Sequence, residues 1–282
     1  MADLAPSTLR FAPKRKAILL VNWNPELETL DELSGHDLRI IQPRHGYRFS
    51  VDPLLLADFA GVRRGERVVD LGTGCGVVAL LLARREASAA ITGIEFQDGM
   101  ARIAQRNVLA NALSGSIDIV ADDVVSLKGR FAVSTFDLVV SNPPYRRIGT
   151  GKVSPRAGRD EARHETTATL ADFLSAAKYL VKESGRICFI YHTCRLAELM
   201  AQAAEQKLVP LRLRMVHGNW AAPARMFMVE LMKGRAGELC VEPPLMVRGE
   251  DGGYSVEKLR IYGRGVEAIG GKEGKGGAND LC

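Results

Sequence analysis

The stretch Val68-Val69-Asp70-Leu71-Gly72-Thr73-Gly74-Cys75-Gly76 decides the fold. Residues 67–71 form an apolar run of strand length, three glycines follow at alternate positions, and residues 77–85 form an apolar run of helix length. Gly72, Gly74 and Gly76 permit a sharp turn and a close approach of ligand to backbone. The helix start behind them draws negative charge. The spacing is Gly-x-Gly-x-Gly, not the Gly-x-Gly-x-x-Gly of a dinucleotide site. Asp70, ahead of the first glycine, would repel a pyrophosphate and suits a ligand that carries an ammonium group.

The alternation continues outward. Strands are expected at 90–95, 117–121, 136–141 and 186–191, and helices at 98–111, 170–181 and 195–207. Repeated strand–helix units imply a parallel, doubly wound α/β sheet. Two consecutive strands near the end, 211–216 and 226–232, imply an antiparallel edge. Before the glycine turn, 36–42 and 44–51 are expected to pair as a hairpin punctuated by Pro43 and Gly46. Pro53 opens a helix, with Asp52 as its cap.

In open α/β sheets the chemistry collects at the carboxyl ends of the strands. Strand 90–95 ends in Glu95, whose carboxylate can accept both hydroxyls of a ribose or serve as a first-turn acid of the following helix. The next strand ends in Asp122-Asp123. Asp123, further past the strand end, can accept an adenine amino group, and a capping role is the alternative. Strand 136–141 ends in Asn142-Pro143-Pro144-Tyr145. Asn142 precedes a proline and is pushed to extended backbone. The two prolines stiffen the turn and remove two N–H donors. What remains is a patch of acceptor oxygens beside the flat face of Tyr145, suited to an amino group on a planar ring.

Hydrophobic residues make up 46% of the 282 and charged residues 25%, ordinary values for a globular protein with a sizeable core. The net charge of +5 permits a polyanionic partner without requiring one. The five cysteines, Cys75, Cys188, Cys194, Cys240 and Cys282, form no Cys-x-x-Cys pair and fit a reducing cytoplasm better than a disulfide framework. The five histidines show no metal-binding spacing, so no metal is expected. No run approaches the roughly 20 apolar residues that span a bilayer, and the apolar run at 17–21 is too short for a signal-peptide core. No membrane association is expected.

On these residues the chain resembles the class I S-adenosylmethionine-dependent methyltransferases. Asp70 to Gly76 resembles their first motif, Glu95 their ribose acid and Asp123 their adenine-side acid. Asn142 to Tyr145 resembles the motif shared by adenine-N6, guanine-N2 and glutamine-N5 enzymes. The resemblance implies a Rossmann-like fold, with a mostly parallel, doubly wound seven-stranded sheet, an antiparallel edge strand and the N-terminal hairpin. A narrower likeness lies in Gln42-Pro43-Arg44-His45-Gly46-Tyr47-Arg48-Phe49-Ser50-Val51-Asp52, in Ala162-Arg163-His164-Glu165, and in 224–231 and 243–262. These segments are similar to bacterial tRNA(Val) adenine-N6 methyltransferases, and the likeness covers about residues 36–262. It implies S-adenosyl-L-methionine as cofactor and methylation of the adenine just 3′ of the anticodon. It also implies a cofactor site of Tyr47, Asp52, Asp70, Gly72, Gly74, Gly76, Glu95, Phe96, Asp122, Asp123 and Asn142. Catalysis would fall to Asn142, Pro143, Pro144 and Tyr145. Alternate-residue strand packing accounts equally well for Tyr47 and Phe49.

On this reading 36–262 is the methyltransferase domain, 1–35 a partly ordered extension, and 263–282, with seven glycines, a flexible tail. Arg146, Arg147, Lys152, Arg156, Arg159 and Arg163 face only Asp160 and Glu161, so 146–163 carries net +4 among several glycines. Such a loop beside the turn can clamp the phosphates of a tRNA anticodon loop or simply be solvated. Other acceptors stay open, namely a guanine-N2 of rRNA or a protein glutamine. So does a non-catalytic RNA-binding protein on the same fold, against which the acids Asp70, Glu95 and Asp123 argue. The oligomeric state is open between a monomer and a weak dimer.

Overall fold

The computed structural model describes residues 22–46, 48–144, 168–234 and 237–263. Its first pairing is a hairpin in which β1 (Glu28–Leu33) lies antiparallel to β2 (Leu38–Pro43), from Glu28 opposite Pro43 to Leu33 opposite Leu38. The expected pairing of 36–42 with 44–51 does not form, and β2 pairs backward instead. Pro43 ends the strand, and side chains tie down the segment beyond it. Arg48 donates to the Thr29 hydroxyl (2.9 Å) and the Pro43 carbonyl (3.2 Å), while Gln42 Oε1 accepts the Phe49 N–H (3.2 Å).

The hairpin docks on α3 (Asp98–Ala110) through two asparagines one turn apart. The side chain of Asn107 accepts the Ile41 N–H (2.7 Å) and donates to the Ile41 carbonyl (2.8 Å). The side chain of Asn111 does the same for Arg39, at 2.9 and 2.7 Å. Two carboxamides thus complete the outer edge of β2 as a third strand would, leaving its ladder groups paired. Arg106 adds a two-pronged contact to Glu28, at 2.8 and 2.6 Å.

Strands buried on both faces read as unbroken apolar runs. Such runs make up most of β3 (Arg67–Leu71), β6 (Phe136–Ser141) and the second half of β7 (Val181–His192), while β4 (Ala90–Glu95) and β5 (Ile117–Ala121) are more mixed. They pair in parallel in the order β7-β6-β3-β4-β5. β8 (Leu208–His217) and β9 (Ala224–Lys233) extend the sheet, with β9 antiparallel to both β7 and β8. The short β10 (Cys240–Val241) and β11 (Leu245–Met246) run parallel to β8. The doubly wound α/β class is as expected, and two details differ. Among the described residues the main sheet has nine strands rather than seven, because the two-residue β10 and β11 join it. The antiparallel strand β9 lies between β7 and β8 rather than at the edge.

The chain winds outward through β3, β4 and β5, then returns to lay β6 on the other side of β3. The loops after β3 and β6 therefore diverge over opposite faces and open a crevice at the topological switch point. One face of the sheet is covered by a core of α1 (Asp52–Ala60), α2 (Val77–Arg85) and α3, with Leu56, Leu81 and Ala104 inside. The other is covered by α4 (Leu170–Leu180) and α5 (Leu196–Glu205), with Phe173, Phe189 and Phe227 inside. α2 is buried all along Val77–Ala83, as its uniformly apolar sequence requires.

α1 is fixed at its carboxyl end by arginines. The carbonyls of Ala57, Phe59 and Ala60 accept from Arg85 (2.9 Å), Arg212 (2.7 Å) and Arg186 (2.5 Å). These carbonyls have no helical partner, and cations complement the negative end of the helix dipole. Arg186, on β7, also forks onto Glu66 at 3.0 and 3.1 Å and lies 3.8 Å from Glu230. Its side chain is only 8% exposed. Removing a buried partner strands the charges it served. Arg186→Met is expected to lower the unfolding free energy by about 3–5 kcal/mol, measured by urea denaturation; a loss below about 1 kcal/mol would show that α1 is anchored without it.

Candidate active site

The glycine turn after β3 is held from both sides. The N–H groups of Gly72 and Thr73 donate to the Ile94 carbonyl at the end of β4, both at 2.9 Å, and Gly76 donates back to Thr73 (2.9 Å). Gly72, Gly74 and Gly76 have φ of 71°, 58° and 87°, a region costly for residues with a side chain. A Cβ at Gly72 would lie 3.3 Å from Phe173, whereas one at Gly74 would meet nothing within 4 Å. The backbone at Gly74 is open to a ligand.

Beneath the turn, Asp70 is 1% exposed. The Thr73 hydroxyl donates to its Oδ2 at 2.5 Å. Burial pushes the Asp70 carboxyl up from 3.8 to about 7, and the Glu95 charge adds to the rise. The Thr73 hydroxyl and the Ala79 N–H, in the first turn of α2, pull the other way. Glu95 ends β4 and is also buried. It accepts the Gly74 and Gln97 N–H groups, both at 2.9 Å. Burial raises its pKa, and those N–H groups oppose the rise. Phe96, next along, is 39% exposed.

The two acids after β5 differ. Asp122 is engaged within its own loop, accepting the Ser126 hydroxyl (2.6 Å) and the Asp123 N–H (2.8 Å) and pairing with Arg130 (3.1 Å). Asp123 takes only the Val125 N–H at Oδ1 (3.1 Å), and its Oδ2 has no hydrogen bond among the described residues. The Asp122 N–H donates to the Glu95 carbonyl (3.0 Å), which keeps the ends of β4 and β5 together.

On the other side of the crevice, Asn142, Pro143 and Pro144 leave the end of β6, whose Ser141 lies beside Leu71 of β3 and donates to its carbonyl at 2.7 Å. Asp70, Glu95, Asp123 and Asn142 thus stand at the carboxyl ends of four neighbouring strands. Three residues of this region carry no signal in the sequence. The Tyr191 hydroxyl, from the end of β7, donates to the Pro144 carbonyl (3.3 Å). Phe173 and Arg195 join Tyr191 and the two prolines around a cavity of about 480 Å³ beside the turn. Asn107 is a fourth residue not found from the sequence. Its carboxamide, already bound to Ile41, also donates to the Cys75 carbonyl (2.9 Å) and so ties the hairpin to the glycine turn. The apolar run of β7 marks Tyr191 as core but not as a partner of the turn.

Asp52 opens α1 and is buried. Tyr47, Tyr145, Arg146, Arg147, Lys152, Arg156, Arg159 and Arg163 lie outside the described residues.

A switch-point sheet of nine strands among the described residues, with a glycine turn on the first strand of its parallel core, is the Rossmann-like fold of the class I methyltransferases. A predicted O-methyltransferase from Agrobacterium tumefaciens superposes with a TM-score of 0.63 at 22% identity, over 76% of this chain and 96% of that one. Residues 52–206 match the family described as Methyltransferase small domain, and the chain belongs to that family. S-adenosylmethionine is its cofactor. The chain is similar to a tRNA1(Val) (adenine(37)-N6)-methyltransferase of Porphyromonas gingivalis, 35% identical over 65% of this chain and 73% of that protein. It is also similar to one of Salmonella enteritidis, 31% identical over 77% and 86%.

The position of Asp70 has a testable cost. A carboxyl raised to about 7 in the fold binds a proton that the unfolded chain, at 3.8, has already lost. Its contribution to stability is complete below the unfolded value and is lost as pH rises through about 7. Asp70→Asn, which cannot ionise, is expected to melt with the wild type near pH 4 and above it at pH 8. The gap at pH 8 is at most on the order of 4 kcal/mol. Thermal denaturation of both proteins across that range checks this, and an equal gap at both ends would mean that Asp70 is not held near neutrality.

Proposed function

We propose that this enzyme methylates the N6 amine of adenine 37 in tRNA(Val). The observation that carries the reading is the Asn142-Pro143-Pro144 turn, set across the switch-point crevice from the glycine turn. The names of the relatives at 31–35% identity point to the same acceptor.

The residues present fit S-adenosylmethionine. Gly74 leaves its backbone open, and Asp70 is a desolvated acid that an ammonium group would favour in its charged form. Asp52 and Tyr47 would close over this end, and Gly72 and Gly76 shape the turn. Glu95 would accept the ribose hydroxyls, with Phe96 exposed beside the adenine. Asp123 would take the adenine amine through its open Oδ2, while Asp122 holds the loop that presents it. Bound there, the cofactor supplies an electrophilic methyl on a sulfonium.

The protein's part is to prepare the nucleophile. An adenine amine is weak because its lone pair conjugates with the ring. The Asn142 side-chain oxygen and the Pro143 carbonyl would accept its two hydrogens, favour a pyramidal nitrogen and turn the lone pair toward the methyl. Such acceptors stabilise the positive charge that develops on nitrogen, and fixed positioning supplies much of the remaining rate. Tyr145 offers a stacking face. The base must leave its stack to reach this site, and the loop of a tRNA presents it unpaired. Arg146, Arg147, Lys152, Arg156, Arg159 and Arg163 supply cations for the RNA backbone.

Asn142→Ala is expected to lower turnover about 10²–10³-fold and to leave S-adenosylmethionine affinity nearly intact by calorimetry. Asp70→Asn should do the reverse, weakening the cofactor. In the wild type that affinity should fall as pH drops below about 7, the value to which Asp70 is raised, because binding must then displace the proton. Undiminished methylation in Asn142→Ala would remove that residue from the chemistry. Labelled methyl transfer into separated tRNA, rRNA and protein fractions tests the acceptor, and label confined to protein would overturn the RNA reading.

A further inference from the structure

We propose that the turn between β8 and β9 is a second RNA contact, in which Trp220 stacks a base flanking the target and Arg225 meets a phosphate. This rests on the RNA reading above. β8 is parallel to β6 and β7, so its carboxyl end and the turn Gly218–Pro223 rise on the same edge of the sheet as Asn142. The order β6-β7-β9-β8 puts the turn two to three strand spacings, about 10–14 Å, from the catalytic turn.

Trp220 is 64% exposed, and among the described residues no ring or cation packs on its face. The backbone beneath it is fixed. Asn219 Oδ1 accepts the N–H groups of Ala221 (3.0 Å) and Ala222 (2.9 Å), and the His217 ring bonds the Ala222 carbonyl (2.9 Å). The Arg248 N–H donates to Gly218 (3.0 Å), and the Thr193 hydroxyl, beyond β7, donates to the Ala224 carbonyl (2.9 Å). A large apolar ring held in water by a braced turn is an arrangement that stability does not favour and that base stacking uses well. Arg225 follows at the start of β9. It is the extra residue of a bulge, between the pairs Val216–Met226 and His217–Ala224, a device that breaks the ladder locally and re-aims a side chain at the end of a strand. Arg186, Arg195, Arg212, Arg214 and Arg260 are engaged by carboxylates. Arg225 is exposed and has no carboxylate partner among the described residues. A stacking ring and an unengaged guanidinium, on the edge that carries the chemistry, are what a single-stranded polyanion requires.

The chain's two tryptophans make the test direct. Trp23→Phe leaves Trp220 as the only indole, and its fluorescence should fall on titration with an anticodon stem-loop RNA of tRNA(Val). Trp220→Ala should raise KM for that RNA about tenfold, the size of one base–aromatic stack. Turnover at saturating RNA and S-adenosylmethionine affinity should be unchanged, and Trp220→Phe should recover most of the loss. Arg225→Ala should reduce the slope of log Kd against log salt by about one. If the wild type methylates this RNA while Trp220→Ala keeps its KM and the indole signal does not move, the inference falls and the function stands. If the wild type methylates no RNA, both fall.

Discussion

A carboxylate is kept almost dry at the end of β3, and the glycine turn and the strand ends around it are organised by that constraint. Asp70 cannot reach water, so its environment must come from the protein. The Thr73 hydroxyl and the first turn of α2 favour its charge, while burial and Glu95 oppose it. The glycine turn exists in this form because the chain must pass over that carboxylate and start a helix within five residues. Only a backbone with repeated positive φ does so. A site balanced between a neutral and an ionised acid costs the empty protein stability that a cationic ligand would restore, the usual position of functional acids in clefts.

The crevice around Asp70 depends on contacts made far from it in sequence. β2 would be an open edge but for Asn107 and Asn111. Asn107, with no exposure at all, binds Ile41 and Cys75 together, so one side chain sets the hairpin and the glycine turn in register. All of its side-chain hydrogens and its oxygen are engaged, which makes it a rigid joint rather than a latent site. At the other end of α1, arginines from α2, β7 and β8 hold the last-turn carbonyls. The helix that starts at Asp52, beside the crevice, is thereby anchored at its far end.

The parts of this fold that were legible in the sequence are those fixed by local physics. Val68 to Gly76 is readable because parallel strands are apolar throughout and glycine turns have few substitutes. Asn142 to Pro144 is readable because two prolines leave little conformational choice. The hairpin was misplaced for a physical reason. Residues 28–33 carry three acids among six residues and show only partial burial. They form a strand because Arg106 and β2 receive them, and no local pattern records that. β9 reads as a strand, but its place inside the sheet is decided by pairing with both β7 and β8. Tyr191 reads as core and is core, and its hydroxyl reaches the Pro144 carbonyl because β7 runs on past Phe189, the partner of the last β6 residue Ser141, alongside the turn that follows β6.

On the proposed reading, the switch point also divides the labour of the reaction. The acids sit on β3, β4 and β5, and the acceptor turn sits on β6 with β7 and β9 beyond it. Ser141 on Leu71 is the hydrogen bond that joins the two halves at the crevice floor. An in-line displacement needs the two reacting atoms held within a few tenths of an ångström along one axis. Two loops could not hold that alignment alone. Adjacent parallel strands can, because their ladder fixes the offset between Leu71 and Ser141, and each loop leaves its strand at the next residue. On the proposed reading, methyl donor and amine acceptor would be positioned by the same backbone hydrogen bonds that hold the sheet together, and the alignment would be as stiff as the core itself.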